Sequence, residues 1–408
     1  MSPRRSFDDT AQSARIRGTN LTTVRGINER LVLHLVRTHG QLTKAEATRL
    51  TGLSANAISV IFRALEQDGY LLRGEPIRGR IGQPSVPMRL NPEARYFAGL
   101  YVGRRAYRLV IIDFTGNILA RLTELHEYPT PHTMLDFVER SLPVALQQAE
   151  IDKTQLNSFN IACPEELWSW TDELAISPQE MEPWRTFDTV AETSRLVGLP
   201  VAMENDGTAA CRAEQVLGNK HAAMDWAYFY VESFIGGGVV LNGSVYQGRR
   251  GHAGGFGPLR VPDQPEGNRL LDHASLLTLE SMIKTHEQDP ITRLYSDKPV
   301  WDTIEQPLEQ WIARAGKSLA YAFISALTVI DFEEFVLDGA MPVDVRQRLL
   351  EEVEQQWSKL DLQGIDTPAI STGTFGEIAG ALGAAAMQIS KEYMIDHNQL
   401  LQHNSLLN

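Results

Sequence analysis

Side chains able to read a nucleobase lie within residues 42–72, LTKAEATRLTGLSANAISVIFRALEQDGYLL. Asn56 and Ser59 are three residues apart, so on a helix they share a face, with Ala55 and Arg63 beside them. An amide or hydroxyl there can hydrogen-bond base edges in a major groove, and a small residue such as Ala55 lets the helix approach closely. Arg63 and Lys44 are cations for phosphate oxygens. Ser54, at the head of the same helix, is both a candidate contact and a cap.

Such contacts need a rigid support. Thr43 and Glu46 have capping-box spacing, in which each side chain satisfies a free backbone donor at a helix start. That helix should end near Leu50, with Gly52 in the turn, where a residue without a Cβ is least strained. Ser54 then begins a helix to about Asp68, turning Leu53, Ile58, Ile61, Phe62 and Leu65 inward. An earlier helix over 24–39 places Ile27, Leu31, Leu35 and Val36 on one face, with Gly40 as its stop. After Gly69, Tyr70–Leu72 reads as a strand, 73–84 (RGEPIRGRIGQP) as a basic hairpin tip and Ser85–Leu90 as the return strand. The expectation is a winged helix-turn-helix over 21–92, behind a polar, Arg-rich arm at 1–20. Arg15, Arg17 and Arg25 are expected at phosphates, and Arg78, Arg80 and Gln83 at the backbone or minor groove. One such module makes few base contacts, so a homodimer or higher homo-oligomer on a palindromic duplex is expected.

The 408 residues carry a net charge of −13, which alone would disfavour nucleic acid. Its distribution reverses that reading. Residues 1–95 hold 15 Lys+Arg against 8 Asp+Glu, a surplus of +7, which leaves −20 on the remainder. A basic module on an acidic body fits a DNA-binding domain joined to a sensing domain. No apolar run approaches the roughly 18 residues of a membrane span. MSPRRSFDDT lacks the apolar segment of a signal peptide, and Cys163 and Cys211 are too few for a disulfide framework. A cytoplasmic protein without membrane contact is expected.

Beyond Asn91-Pro92 the pattern becomes α/β. Tyr96–Val102, Tyr107–Asp113 and Ile118–Glu127 read as consecutive strands, followed by a helix over 133–150 and a buried strand, Leu156–Ala162. Pro200–Glu204 and Trp226–Val231 read as further strands, with a helix, Gly207–Leu217, between them. Gly237–Leu241 reads as a strand issuing from the run Gly236-Gly237-Gly238. A strand, Glu334–Leu337, lies between helices ending near Val329 and starting near Val343, and a Gly/Ala-rich helix covers Gly376–Tyr393. Strands grouped in threes and alternating with helices indicate two lobes around a cleft, here divided at about 93–205 and 206–408.

In this order the motifs resemble the ROK family (repressors, open reading frames and sugar kinases) from about residue 20 to 395. The N-terminal stretch looks like the winged helix of its xylose- and N-acetylglucosamine-type repressors, with Ile81-Gly82-Gln83-Pro84 where their wing has Gly-Gly-Arg-Pro. Glu204-Asn205-Asp206 matches the family's sugar-site motif, Ile235-Gly236-Gly237-Gly238 its glycine loop, and Thr374 to Ala385 its late Gly/Ala-rich helix start. The resemblance implies an actin- or hexokinase-like (ribonuclease H-like) body.

Departures from the family pattern weigh against catalysis. The kinases' first phosphate loop, Asp-x-Gly-Gly-Thr, corresponds to Tyr101-Val102-Gly103-Arg104-Arg105, which has no acid for a metal. In the loop Ala253-Gly254-Gly255-Phe256-Gly257-Pro258, Gly255 replaces a sugar-binding Glu and Pro258 a zinc-ligating His. Residues 262–269 lack the thiolates of the zinc motif, and Leu271 replaces a second Glu, for which Asp272 is a candidate stand-in. No metal or other cofactor is expected. Two readings of the pocket stay open. It takes a changed small-molecule effector, a sugar or sugar derivative, through Glu204, Asn205, Asp206, Gly236, Gly237, Arg250, His252 and Gly255, or it is vestigial and the body serves protein contacts. Asn205 and Asp206 can also simply cap the following helix, and Trp168, Trp170 and Trp184 can either stack on a sugar or pack a core. The leading expectation is a repressor of carbohydrate-related genes, against a sugar kinase with an extra domain or a scaffold.

Overall fold

The computed structural model of the protein describes residues 21–76, 85–174, 176–218, 221–262, 269–284, 289–297, 299 and 301–396. Three helices, α1 (Leu21–His39), α2 (Lys44–Thr51) and α3 (Ala55–Gln67), pack with three short strands, β1 (Gln41–Leu42), β2 (Leu71–Arg73) and β3 (Met88–Leu90), in the order β1-β3-β2. Local chemistry sets the helix ends. The Thr43 hydroxyl accepts from Glu46 N–H at 3.3 Å while Thr43 N–H donates to the Glu46 carboxylate at 2.8 Å. Gly52 takes the left-handed conformation, φ 69°, and Ser54 Oγ caps α3 by accepting from Ala57 N–H at 3.2 Å.

The buried face of α1 differs from the expected one. Val32, Leu33 and Val36 are buried, while Ile27, Leu31 and Leu35 are half-exposed. The helix is gripped from two sides, by α2 and α3 and by the C-terminal helix of the body, so its seam is rotated from the one periodicity suggests.

The body contains two five-stranded sheets. The first has the order β6-β5-β4-β7-β8, from β4 (Tyr96–Val102), β5 (Ala106–Asp113), β6 (Ile118–Leu125), β7 (Leu156–Ala162) and β8 (Val201–Glu204). The second has the order β11-β10-β9-β12-β13, from β9 (Trp226–Val231), β10 (Ile235–Leu241), β11 (Ser244–Tyr246), β12 (Glu334–Gly339) and β13 (Ala369–Thr372). Each sheet begins with an antiparallel meander, and its last two strands add in parallel beside the first. One topology is thus used twice without a visible sequence repeat.

Helices α4 (Pro131–Gln148) and α5 (Thr189–Val197) pack together on the outer side of the first sheet, and α7 (Glu305–Leu327) and α8 (Val343–Trp357) pair beside the second. Between the sheets run α6 (Asp206–Leu217), on β10, and α9 (Ala379–Tyr393), on α6, β4 and β7. The chain's last described helix therefore returns to the first sheet, and the lobes are not divided by sequence order alone. Approach here is close enough to require glycine. A Cβ on Gly383 would sit 1.7 Å from Ala209 O, one on Gly99 2.0 Å from Ala381 O, and one on Gly207 2.6 Å from Gly237 N. No described helix is long and apolar enough to cross a membrane.

Candidate functional site

The outer face of α3 presents Ala55, Asn56, Val60 and Arg63 to solvent, with Ser54 at its head and Ser59 half-buried beside them. Ser59 Oγ donates to Ala55 O at 2.8 Å, which leaves its lone pairs available as acceptors. Lys44 is exposed at the start of α2. Val60, 61% exposed, was not anticipated from sequence, although its spacing of four from Asn56 places it on the same face. Arg15, Arg17, Arg78, Arg80 and Gln83 lie outside the described residues.

In the body, the turn between β4 and β5 carries the arginines that stand in place of a phosphate loop. Arg105 makes a bidentate pair with Glu280, both contacts at 2.9 Å, deep in the protein. Arg108, fully buried on β5, lies 3.6 Å from Glu232 and donates to Tyr295 O at 3.2 Å. Arg104 lies over the Phe234 ring, 3.9 Å from its centroid, and 4.0 Å from Asp206 Oδ2. Trp170 meets the same Phe234 ring edge-on, centroids 4.9 Å apart. The β9–β10 turn, Glu232-Ser233-Phe234, is thus locked to the β4–β5 turn by an ion pair and a cation–π contact. Sequence reasoning stopped at the glycines that follow and missed Glu232 and Phe234. The bulky ring just before the Gly run was the available signal.

Glu204, Asn205 and Asp206 come together at the start of α6 with different duties. Both Glu204 oxygens are held by Arg212 at 2.8 Å, and Gln247 donates to one of them at 2.9 Å. Asn205 Oδ1 caps α6, accepting from Gly207 N–H and Thr208 N–H. Asp206 keeps Oδ2 toward Arg104, and its side chain is 18% exposed. Burial pushes its carboxyl above the ordinary aspartate range, with the Arg104 guanidinium opposing.

Gly237 is buried where α6 meets β10, whereas a Cβ on Gly236 would face open space. Arg250 and Gly255 are exposed in the loop after β11. His252 Nδ1 lies 2.6 Å from Glu165, which follows β7, so this pair bridges the lobes. Asp272 is engaged by Arg269 at 2.6 Å, and Leu271 is buried. Trp184 is a core residue donating to Pro129 O at 2.9 Å, and Trp168 has Arg185 over its ring. Burial raises both cysteine thiols, the opposite of an activated nucleophile. Among the described residues, no group of three or more His, Cys, Asp or Glu could hold a metal ion.

Two sheets of one repeated topology, flanking an interlobe site at the start of α6, define the body as an actin-like, two-lobed α/β fold of the sugar-kinase kind. Residues 97–391 match the description "ROK family", and the chain belongs to that family. An uncharacterized protein, y4fQ, from Sinorhizobium fredii is 25% identical over 90% of this chain and 92% of its own length. The xylose repressor of Bacillus subtilis is 22% identical over 59% of this chain and 62% of its own. In fold, the chain is similar to a ROK family transcriptional regulator, a homolog of the E. coli MLC protein (TM-score 0.63, 18% identity, 91% of this chain and 97% of that one). It is also similar to a ROK family glucokinase from Streptomyces griseus in complex with glucose and AMPPNP (TM-score 0.55, 18% identity, 72% and 98%). Relatives of both kinds, regulators and kinases, therefore share this fold.

Proposed function

We propose that the protein is a sequence-specific DNA-binding transcriptional regulator, a repressor of carbohydrate-related genes, whose body is a non-catalytic effector domain. The observation that carries this reading is the N-terminal unit. It joins a capped α2, a left-handed glycine turn and a capped α3 whose small and polar residues face outward, on the segment of the chain with a basic surplus. On this reading it is a winged helix-turn-helix. Asn56 and Ser59 read base edges, and Arg63 and Lys44 hold phosphates, with Arg78, Arg80 and Gln83 on the wing. The protein acts as a homodimer on a palindromic operator. Relatives named as xylose repressors support a carbohydrate effector. Asn205 and Asp206 are its nearest ligands, with Gly236, Gly237, Arg250, His252 and Gly255 around them. Glu204 acts through Arg212, as a support.

The kinase reading is opposed by the interlocked turns. Phosphoryl transfer needs room and donors for polyphosphate between them and an acid for its metal, and Arg104, Phe234 and the Arg108–Glu232 pair fill that space. Band shifts on a bound duplex and its scrambled versions test the DNA face. Asn56→Ala with Ser59→Ala is expected to erase sequence preference while leaving salt-sensitive binding; unchanged preference refutes the assignment. A coupled assay with hexoses and ATP is expected to show no turnover above background.

A further inference from the structure

The arginines at the foot of the cleft are unequally used. Arg105 is satisfied by both Glu280 oxygens, and Arg108 bonds a backbone carbonyl and faces Glu232. Arg104 is different. Its side chain is 7% exposed, its Nε has no partner, and its approach to Asp206, at 4.0 Å, is too long for a hydrogen bond. A buried guanidinium that donates nothing is costly, because its desolvation is offset only by a distant carboxylate and a ring face. Its neighbour Asp206 retains solvent contact, and Gly236, adjoining through the Gly207–Gly237 contact, faces open space. Of the carboxylates here, Glu204 is committed to Arg212, so little acceptor capacity remains for the many hydroxyls of a neutral sugar, while cationic donor capacity is in surplus.

We infer that Arg104 receives an anionic oxygen group of the effector, so that the ligand of this cleft is an acidic carbohydrate, carrying a carboxylate or a phosphate. The planar guanidinium fork fits either group with two parallel hydrogen bonds. The ligand anion takes over the guanidinium from Asp206, whose carboxylate and the Asn205 amide then serve hydroxyls. This assignment rests on the reading of the body as an effector domain.

The test is calorimetric binding to the full chain. D-glucose and D-xylose serve as neutral probes, D-gluconate and D-glucuronate as carboxylates, D-glucose 6-phosphate as a phosphate, and inorganic phosphate as the ion alone. At least one charged sugar should bind about tenfold or more tighter than D-glucose, the loss expected for one charge-assisted contact. That ratio should collapse in Arg104→Met, recover in part in Arg104→Lys and rise in Asp206→Asn, which removes the competing internal anion. Thermal unfolding of each variant separates lost binding from lost fold. Neutral sugars binding as well as acids, or a ratio unmoved by Arg104→Met, overturns the anion assignment and leaves the effector domain standing. Inorganic phosphate binding as tightly as any sugar acid overturns the carbohydrate part. If no probe binds, both the assignment and the effector reading fall.

Discussion

At the scale of single residues, Val60 shows what a helical wheel can and cannot reveal. Its methyls stand in solvent four residues after Asn56 and three before Arg63. An apolar side chain in a major groove contacts the thymine methyl, while an amide pairs with adenine. Each of Asn56→Ala and Val60→Ala should cost about 1–3 kcal/mol of discrimination at one base pair. For Val60→Ala the lost pair should be a thymine position, and uracil substitution there should mimic the mutation. Uniform weakening across all sequences would contradict the placement.

His221 carries a different expectation. Its imidazole lies between Glu214, at 3.2 Å, and Glu334, at 3.0 Å, stacked on Trp226. Burial lowers its pKa, but the two carboxylate hydrogen bonds outweigh that and raise it to about 9. Because the folded value exceeds the unfolded one, the stabilisation is complete below the unfolded value of about 6.5 and disappears as pH rises through 9. Denaturant midpoints should fall across that window, and His221→Gln should flatten the fall. None of this was legible in the sequence, because Glu334 lies 113 residues away.

At the scale of elements, what was local was legible. The α2 cap, the Gly52 turn and the α3 cap each depend on residues within four of one another, and all three form as their spacing indicates. Strands β1, β11 and β13 were missed, since segments of two to four residues carry no usable alternation and exist through their partners. The glycine run was visible, but its physical use differs along its length: Gly237 and Gly238 let α6 lie directly on β10, and only Gly236 of the three opens onto space. The same closeness holds α9. Gly383→Ala would drive a methyl into Ala209 O and should destabilise the protein by about 1–3 kcal/mol, read from chemical unfolding. A neutral result would mean that α9 can shift away from α6.

At the scale of the whole molecule, the N-terminal unit and the body share one apolar cluster. Tyr70 packs against Phe114 and Tyr393, centroids 5.7 and 5.5 Å apart, and Arg95 lies over Tyr70 while donating to its hydroxyl at 2.7 Å. Arg37 donates to Phe114 O at 2.5 Å. Tyr393 ends α9, which packs along α6, which begins at Asn205 and Asp206. This continuous path links cleft and DNA face. Tyr393→Ala should therefore leave ligand affinity and duplex affinity each within a few-fold and weaken the effect of one on the other, in both directions alike because coupling is reciprocal. Titrating duplex with and without the bound sugar checks it, and full coupling in the variant would remove the joint from the account.

The division of charge, basic before residue 95 and acidic after it, leads to the most direct measurement. Duplexes bound by the full chain should be selected from a random pool at two salt concentrations. The account predicts an enriched palindrome whose recognition persists at the higher salt while unselective binding falls away. Weak binding without an enriched sequence at either salt would contradict it.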